Sequence, residues 1–373
     1  MDHSETRTTL RLAEPICPSN AASVSKISLL NNPRWSGFVE THPRASIFHT
    51  AGWLEALHRT YGYEPVAYTT SPPGTELRNA LAFCQVKSWL TGCRLVSLPF
   101  SEYCDPLVDD PSDLQAILAQ LNEDGIRSRT WRYIEMRPMA RYEATDSSYA
   151  STYEYAHHRL DLGPSLSQLF SACHKDSTQR KIRRAEREGL RYEVGCSELF
   201  LSEFYRLLIL TRRRRGVPPQ PVVWFRNLID CLGDALQIRL AFKGSQVVAA
   251  ILTLRYKDTL LYKYGCSKEQ FHNLGGMHFL LWRSIQEARH AGLQTFDFGR
   301  SDNDNEGLIR FKDRWGAHRT SLVYLRYTAT ARSRDRYKSP QTTWQMRAAK
   351  RMMTHVPSTL LAMIGKTLYR HIG

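Results

Sequence analysis

The stretch from Gly275 to Ala317, GGMHFLLWRSIQEARHAGLQTFDFGRSDNDNEGLIRFKDRWGA, constrains the fold more than any other part of the chain. Two glycines open a long amphipathic helix that turns Phe279, Leu280, Ile285 and Ala288 inward at helical spacing. A short buried strand, TFDFG, follows, then a polar loop and a second helix with Phe311, Lys312 and Trp315 near its end. The apolar strand TLLYKYG stands ahead of the glycines, so the block reads as strand, glycine turn, helix, strand. Such a unit belongs in a mixed α/β fold.

The rest of the chain fits that class. Residues 25–157 read as a first domain. In it the helices PRWSGFVETH and TAGWLEALHRTYG come first, the second capped by Thr50 and stopped by Gly62. Strands EPVAYTT, NALAFCQVKSW and CRLVSLPF follow, then the helix DPSDLQAILAQLNEDGI, capped by Ser112 or Asp113 and ended by Gly125, and the strand TWRYIEMRP. Residues 158–330 read as a second version of the same plan. It holds a helical stretch broken at a basic middle (SLSQLFSACHKDSTQRKIRRAEREGL), the helix SELFLSEFYRLLILTRRRRG, a proline loop, a three-strand meander, the opening block and a last strand, HRTSLVYLRY. Residues 1–24 read as a disordered polar tail, and residues 331–373 as a basic tail of amphipathic helices.

Composition narrows the function classes. The formal charge of +15 calls for an anionic partner: nucleic acid, anionic lipid or a phosphorylated substrate. From Thr328 onward there are nine Lys or Arg against the single acid Asp335, a net +8 in the tail alone. The eight cysteines are scattered, with no C-x-x-C and no zinc spacing, so neither a disulfide framework nor a metal centre is expected. No run of about eighteen apolar residues appears, and the first residues lack the apolar core of a signal peptide. A cytoplasmic protein is expected, with the tail either packed back on the protein or lying on the inner face of the membrane.

Several residues carry candidate chemistry. Gly275 and Gly276 at a helix start let a ligand approach free N–H groups and the positive end of the dipole, although a plain turn after a strand has the same look. Asn273 and Met277 flank them. Lys312 sits beside the aromatic Phe311, which can hold an ammonium by stacking. Asp297 ends an apolar strand, where a carboxylate needs a partner: Arg300, Lys312 or a substrate amine. It reads equally as a general base or as a buried ion pair. Tyr264, ending the preceding strand, can donate to a carbonyl or simply pack. Arg300, Asn303 and Glu306 line the following loop. His174, Lys175 and Arg180 make a basic cluster suited to a substrate phosphate, while Arg212 to Arg215 also suit a helix C-terminus. No G-x-S-x-G elbow and no Cys/His nucleophile pair is present.

The order of elements resembles the donor-binding core of the GNAT acyltransferase fold, with His272 to Gly276 a degenerate form of its glycine signature. FHTAGWLEALHRTYGYEPVAY, SLPFSEYCDPLV, QRKIRRAEREGL, FDFGRS and IRFKDRWGA together resemble the FemAB-like branch, over roughly residues 45–327. That branch has tandem GNAT-like domains and includes peptidoglycan-bridge aminoacyltransferases and relatives associated with envelope polysaccharides. The resemblance implies direct attack of an acceptor amine on an activated carbonyl, with no covalent enzyme intermediate. It implies a place near the acyl donor for Lys312, and puts Ser101, Tyr103 and Asp105 of SEYCDP in reach of the acceptor. The expected donor is acyl-CoA, its pyrophosphate on the Gly275–Gly276 helix start, and the acceptor an amine of an envelope glycan precursor. The alternatives are aminoacyl-tRNA as donor to a peptidoglycan precursor, or a non-catalytic scaffold that binds polyanion or membrane.

Overall fold

The computed structural model describes residues 10–11, 23–89, 92–127, 131–139, 142–143, 149–327 and 351–372. The expected N-terminal tail lies almost wholly outside them, as do residues 331–350 of the basic tail. Two compact units form: one from the residues up to Glu154 with Leu322 onward of the last strand, the other from Tyr155–Ser321 with the tail up to Tyr369.

The first unit contains β1 (Ser25–Ser28), α1 (Pro33–Thr41), α2 (Ala51–Tyr61), β2 (Glu64–Thr69), β3 (Leu81–Ser88), β4 (Gly92–Val96), α3 (Pro111–Asn122) and β5 (Ile134–Met136). Local chemistry sets the helix ends. The Thr50 hydroxyl accepts from the Trp53 amide, and Gly62, at φ 70°, closes α2 in the left-handed region. In α3 the cap is Asp110 rather than Ser112 or Asp113: Pro111 fixes the first helical position, so the capping side chain is the one just before it. Gly125 does not stop this segment, which continues as a wide turn over Glu123–Arg127. A Cβ on Gly125 would fall 1.9 Å from the Trp131 ring, so the glycine makes room for the indole. The strands run in the order β1-β2-β3-β4-β5, antiparallel except for β4 with β5. Val66, Phe83, Leu95, Ile117, Leu121, Trp131 and Ile134 form the core between sheet and α3.

The second unit begins in β6 (Tyr149–Asp161). It continues with α4 (Leu166–Ala172), α5 (Arg180–Arg187), β7 (Arg191–Gly195), α6 (Glu198–Arg214), α7 (Val222–Leu232), β8 (Leu236–Lys243), β9 (Gln246–Tyr256) and β10 (Thr259–Ser267). Then come α8 (Gly276–His290), β11 (Thr295–Asp302), α9 (Glu306–Asp313) and β12 (His318–Tyr327), with α10 (Ser358–Ile372) in the tail. The strand order is β6-β11-β10-β9-β8-β7, antiparallel except for β10 with β11. The last three residues of β12 pair with β5 in the first unit's sheet. Helix α8 packs Leu280, Leu281 and Ile285 against Ile251, Leu260 and Phe296, each such side chain contributing roughly 1.5–3 kcal/mol by leaving water. The architecture is mixed α/β, and the strands and helices of the opening block lie where their sequence pattern puts them.

Candidate active site

The parallel pair at the centre of the second unit's sheet comes apart. Strands β10 and β11 pair only at Thr259–Thr295, Leu260–Phe296 and Leu261–Asp297. Beyond that point β10 pairs on with β9, and β11 with β6, so a wedge opens between their C-terminal halves. Two irregularities shape its walls. Lys263 bulges between Tyr262 and Tyr264 on β10, and Phe298 bulges between Asp297 and Gly299 on β11. A bulge re-aims side chains and carbonyls, and the second one needs Gly299, whose φ is 69°. In open α/β sheets, ligands bind where strand connections diverge at the carboxyl ends.

The first turn of α8 follows β10 at this end of the sheet. Its glycines stand close against the protein's own atoms. Gly275 has φ 78°, and a Cβ on it would stand 2.4 Å from the Lys181 carbonyl oxygen of α5. A Cβ on Gly276 would stand 3.0 Å from that of Ala249 on β9. Helix α5 therefore lies against the glycine turn. Asn273 is exposed and Met277 half-buried; a Cβ on Gly265 would fall 2.8 Å from the Met277 methyl and 1.9 Å from the Tyr262 hydroxyl. Gly265 thus admits the Tyr262 ring at the wedge, and burial raises that phenol well above its usual pKa.

Lys312, on the last turn of α9, is 2% exposed. Its ammonium donates to the carbonyls of Gly299, at 2.8 Å, and Arg300, at 2.9 Å, the two residues that follow the β11 bulge. The expected grip by Phe311 is not the main one: Phe311 instead meets His278 and Trp315 edge-on. A positive charge is thereby fixed beneath the β11 side of the wedge.

Asp297 is fully buried, and its partner is His157 on β6 rather than Arg300 or Lys312. His157 Nε2 lies 2.9 Å from Asp297 Oδ1, and the Gly299 amide donates to the same oxygen at 2.7 Å. Burial alone would raise the carboxyl pKa; the His157 charge, its hydrogen bond, the Gly299 amide and Arg159 outweigh it and hold the pKa below the usual value. Such a carboxylate is a stable anion that pins the bulge. Its neighbour in sequence, His158, reaches Asp313 of α9 at 3.0 Å, so consecutive histidines tie β6 to both β11 and α9.

The remaining expected residues are dispersed. Tyr264 is a packed tyrosine: its hydroxyl donates to Gln220 Oε1 at 2.7 Å and accepts from the Trp224 indole at 3.2 Å. Arg300 stacks on the Tyr155 ring, its guanidinium 4.2 Å from the centroid. Glu306 begins α9, faces solvent and pairs with Arg310 one turn on, while Asn305 caps the helix. Lys175 and Arg180 are exposed at the start of α5. Tyr103 and Asp105 are buried in the first unit, where Tyr103 meets Phe48 edge-on and Asp105 accepts from the Met139 amide at 2.6 Å. Among the described residues no three His, Cys, Asp or Glu side chains gather as a metal ion would require.

One residue in the opening turn of α8 was not legible as a site residue. His278 is 8% exposed, stacked on Trp315 and edge-on to Phe311. Burial first, then the charges of Lys181 and Arg314, lower its pKa to about 3. The folded state therefore keeps this imidazole neutral at pH values where the unfolded chain would protonate it near 6.5. Because the unfolded state binds the extra proton, stability falls as the pH drops below 6.5 and is untouched above it. Urea melts should show a wild-type stability that declines relative to His278→Phe by about 1.4 kcal/mol per pH unit between 6.5 and the folded pKa. A difference independent of pH would show that the ring is not held neutral.

Residues 174–313, which contain the wedge, match the family described as Acetyltransferase (GNAT) domain. A UDP-N-acetylmuramoylpentapeptide-lysine N(6)-alanyltransferase of Weissella viridescens is 21% identical over 317 residues, covering 76% of this chain and 90% of the relative. A lipid II:glycine glycyltransferase of Staphylococcus saprophyticus subsp. saprophyticus is 30% identical over 87 residues, 22% of this chain and 21% of that one. Among solved structures, FemX aligns with a TM-score of 0.63 at 16% identity, over 82% of this chain and 97% of its own. The fold and the split parallel pair define an acyltransferase of the GNAT type, an enzyme that uses an acyl donor as co-substrate. Within that superfamily the similarity that runs along most of the chain is to FemAB-like proteins.

Proposed function

We propose that this enzyme transfers an aminoacyl group from aminoacyl-tRNA to an amine on the peptide of a peptidoglycan precursor. The observation that carries this reading is the similarity to the alanyltransferase, which runs along 90% of that relative. The packed glycine turn supports it. The expectation of acyl-CoA rested on the concentration of basic residues in the tail, with Gly275 and Gly276 as the place for its pyrophosphate, and α5 lies against Gly275 of that turn. The aminoacyl-tRNA alternative needs no such room, and the strong positive charge suits a polyanionic donor.

On this reading the aminoacyl ester lies in the wedge and the acceptor amine attacks its carbonyl directly. The new C–N bond forms as the ester C–O bond breaks, and a proton leaving the amine ends on the departing ribose hydroxyl. Lys312 is a positioning residue: it holds the Gly299 and Arg300 carbonyls that wall the wedge, and its charge favours a developing oxyanion nearby. Tyr262 and Met277 contribute the opposite wall. Lys175 and Arg180 meet phosphates of the acceptor.

Thermal melting in the presence of candidate donors tests the donor class. A tRNA at about a hundred times its Kd should add about 2.7 kcal/mol to stability, a rise of several degrees in Tm. Coenzyme A at millimolar concentration should leave Tm unchanged. A shift with coenzyme A and none with tRNA would reverse the assignment.

A further inference from the structure

The basic tail ends in a helix whose two faces differ in kind. One face of α10 is seated on the second unit: Leu361 is fully buried, and a Cβ on Gly365 would stand 1.9 Å from the Pro219 carbonyl oxygen. Tyr369 donates its hydroxyl to the Pro218 carbonyl at 3.1 Å, and Arg213 donates to the carbonyl of Thr354, just ahead of the helix, at 3.0 Å. The helix is therefore fixed, and its other face is presented rather than free to fold away.

That outward face carries Leu360, 49% exposed, and Met363, 67% exposed, one turn apart, with Lys366 next along the same stripe. Met352, 71% exposed, and Arg351 precede the helix. Val223, 43% exposed, lies four residues beyond Pro219, on which α10 rests. These four account for most of the seven large exposed hydrophobic side chains among the described residues, so their gathering on two adjoining segments is not the usual scatter. Charge points to the partner. From Arg336 to Gly373 the sequence has no Asp or Glu, and among the described residues neither Arg351 nor Lys366 pairs with a carboxylate.

We propose that the outward face of α10 is a peripheral docking surface for a bilayer rich in anionic phospholipid. Leucine and methionine tips enter the boundary between headgroups and acyl chains, while the adjacent cations meet lipid phosphates. A nucleic acid would use the cations but leave the apolar tips in water. The helix dipole accounts for Lys366 near the C-terminus and says nothing about Met363. The inference stands on α10 alone and does not depend on the donor or acceptor assigned above.

Co-sedimentation of the full chain with vesicles tests it. Wild type should bind vesicles of mixed phosphatidylglycerol and phosphatidylcholine and bind pure phosphatidylcholine weakly. Arg351→Gln with Lys366→Gln should lower binding to the anionic vesicles about five-fold per cation removed. Leu360→Glu with Met363→Glu, exposed positions that leave Tm unchanged, should abolish binding. Failure of the wild type to sediment with anionic vesicles would overturn the proposal. So would undiminished binding by the double glutamate variant, or its displacement by tRNA as complete as the wild type's, which would make the tail a nucleic-acid arm.

Discussion

Replacing Lys312 by Met should cost about 3–5 kcal/mol of stability and remove transfer activity at least a hundred-fold, even well below the lowered Tm. The reasoning starts from burial. A lysine that is 2% exposed has exchanged its hydration for the Gly299 and Arg300 carbonyls, which belong to the two residues just after the Phe298 bulge. Methionine fills the same volume with no donor, leaving two carbonyls unpaired at roughly 1–3 kcal/mol each. The bulge then relaxes and the wall of the wedge moves with it. Lys312→Arg keeps the charge but brings a planar fork to a site shaped for a point donor, so it should recover part of the stability and less of the activity. A surface lysine would behave differently, with Lys312→Met losing activity and no stability. Chemical denaturation and single-turnover transfer, measured on the same protein preparation, separate the cases.

The second large effect is expected at Asp297. Truncation to Ala leaves the His157 ring and the Gly299 amide without an acceptor in a fully buried place, a loss of about 3–5 kcal/mol. Asp297→Asn keeps an acceptor for the amide and should cost less. A double-mutant cycle with His157→Gln should give a coupling of about 1–3 kcal/mol between residues 140 apart in sequence. The pH dependence follows from the depressed pKa. The folded state binds the proton less readily than the unfolded chain, so this contribution is fully present above the unfolded value, near 3.9, and is lost as the pH falls through the lower folded value. Asp297→Asn should remove that loss while leaving in place the slope that His278 gives between pH 6.5 and its folded pKa. An additive cycle, with no coupling, would show that the pair does not hold the bulge.

Much of the fold was legible because its determinants are local. Thr50 and Gly62 bracket α2 by capping chemistry that spans a dozen residues, and the apolar spacing of α8 needs no distant partner. The site was legible in place but not in detail. Gly275 and Gly276 look like a ligand cradle in sequence, yet Gly275 makes room for the Lys181 carbonyl of a helix far earlier in the chain and Gly276 for the Ala249 side chain. The pairing of Asp297 with His157 depends on which strand lies beside β11, and strand order is a tertiary fact. Tyr264 and Tyr262 look equivalent by alternation. The bulge at Lys263 breaks the period, sending Tyr264 to Gln220 and Tyr262 to Met277. Lys312 was found through its family motif, but nothing in RFKDRWG distinguishes an ammonium facing substrate from one holding the strand that does.

Transfer itself tests the central claim most directly. The purified chain would be incubated with UDP-N-acetylmuramoyl pentapeptide and either alanyl-tRNA or acetyl-CoA, each labelled in the acyl group, and the peptide analysed by mass and label. Label should appear in the muramoyl peptide from the tRNA ester alone, in an amide bond stable to mild base, and not at all with Lys312→Met. Label delivered from acetyl-CoA, with the tRNA ester left intact, would contradict the aminoacyl-tRNA assignment.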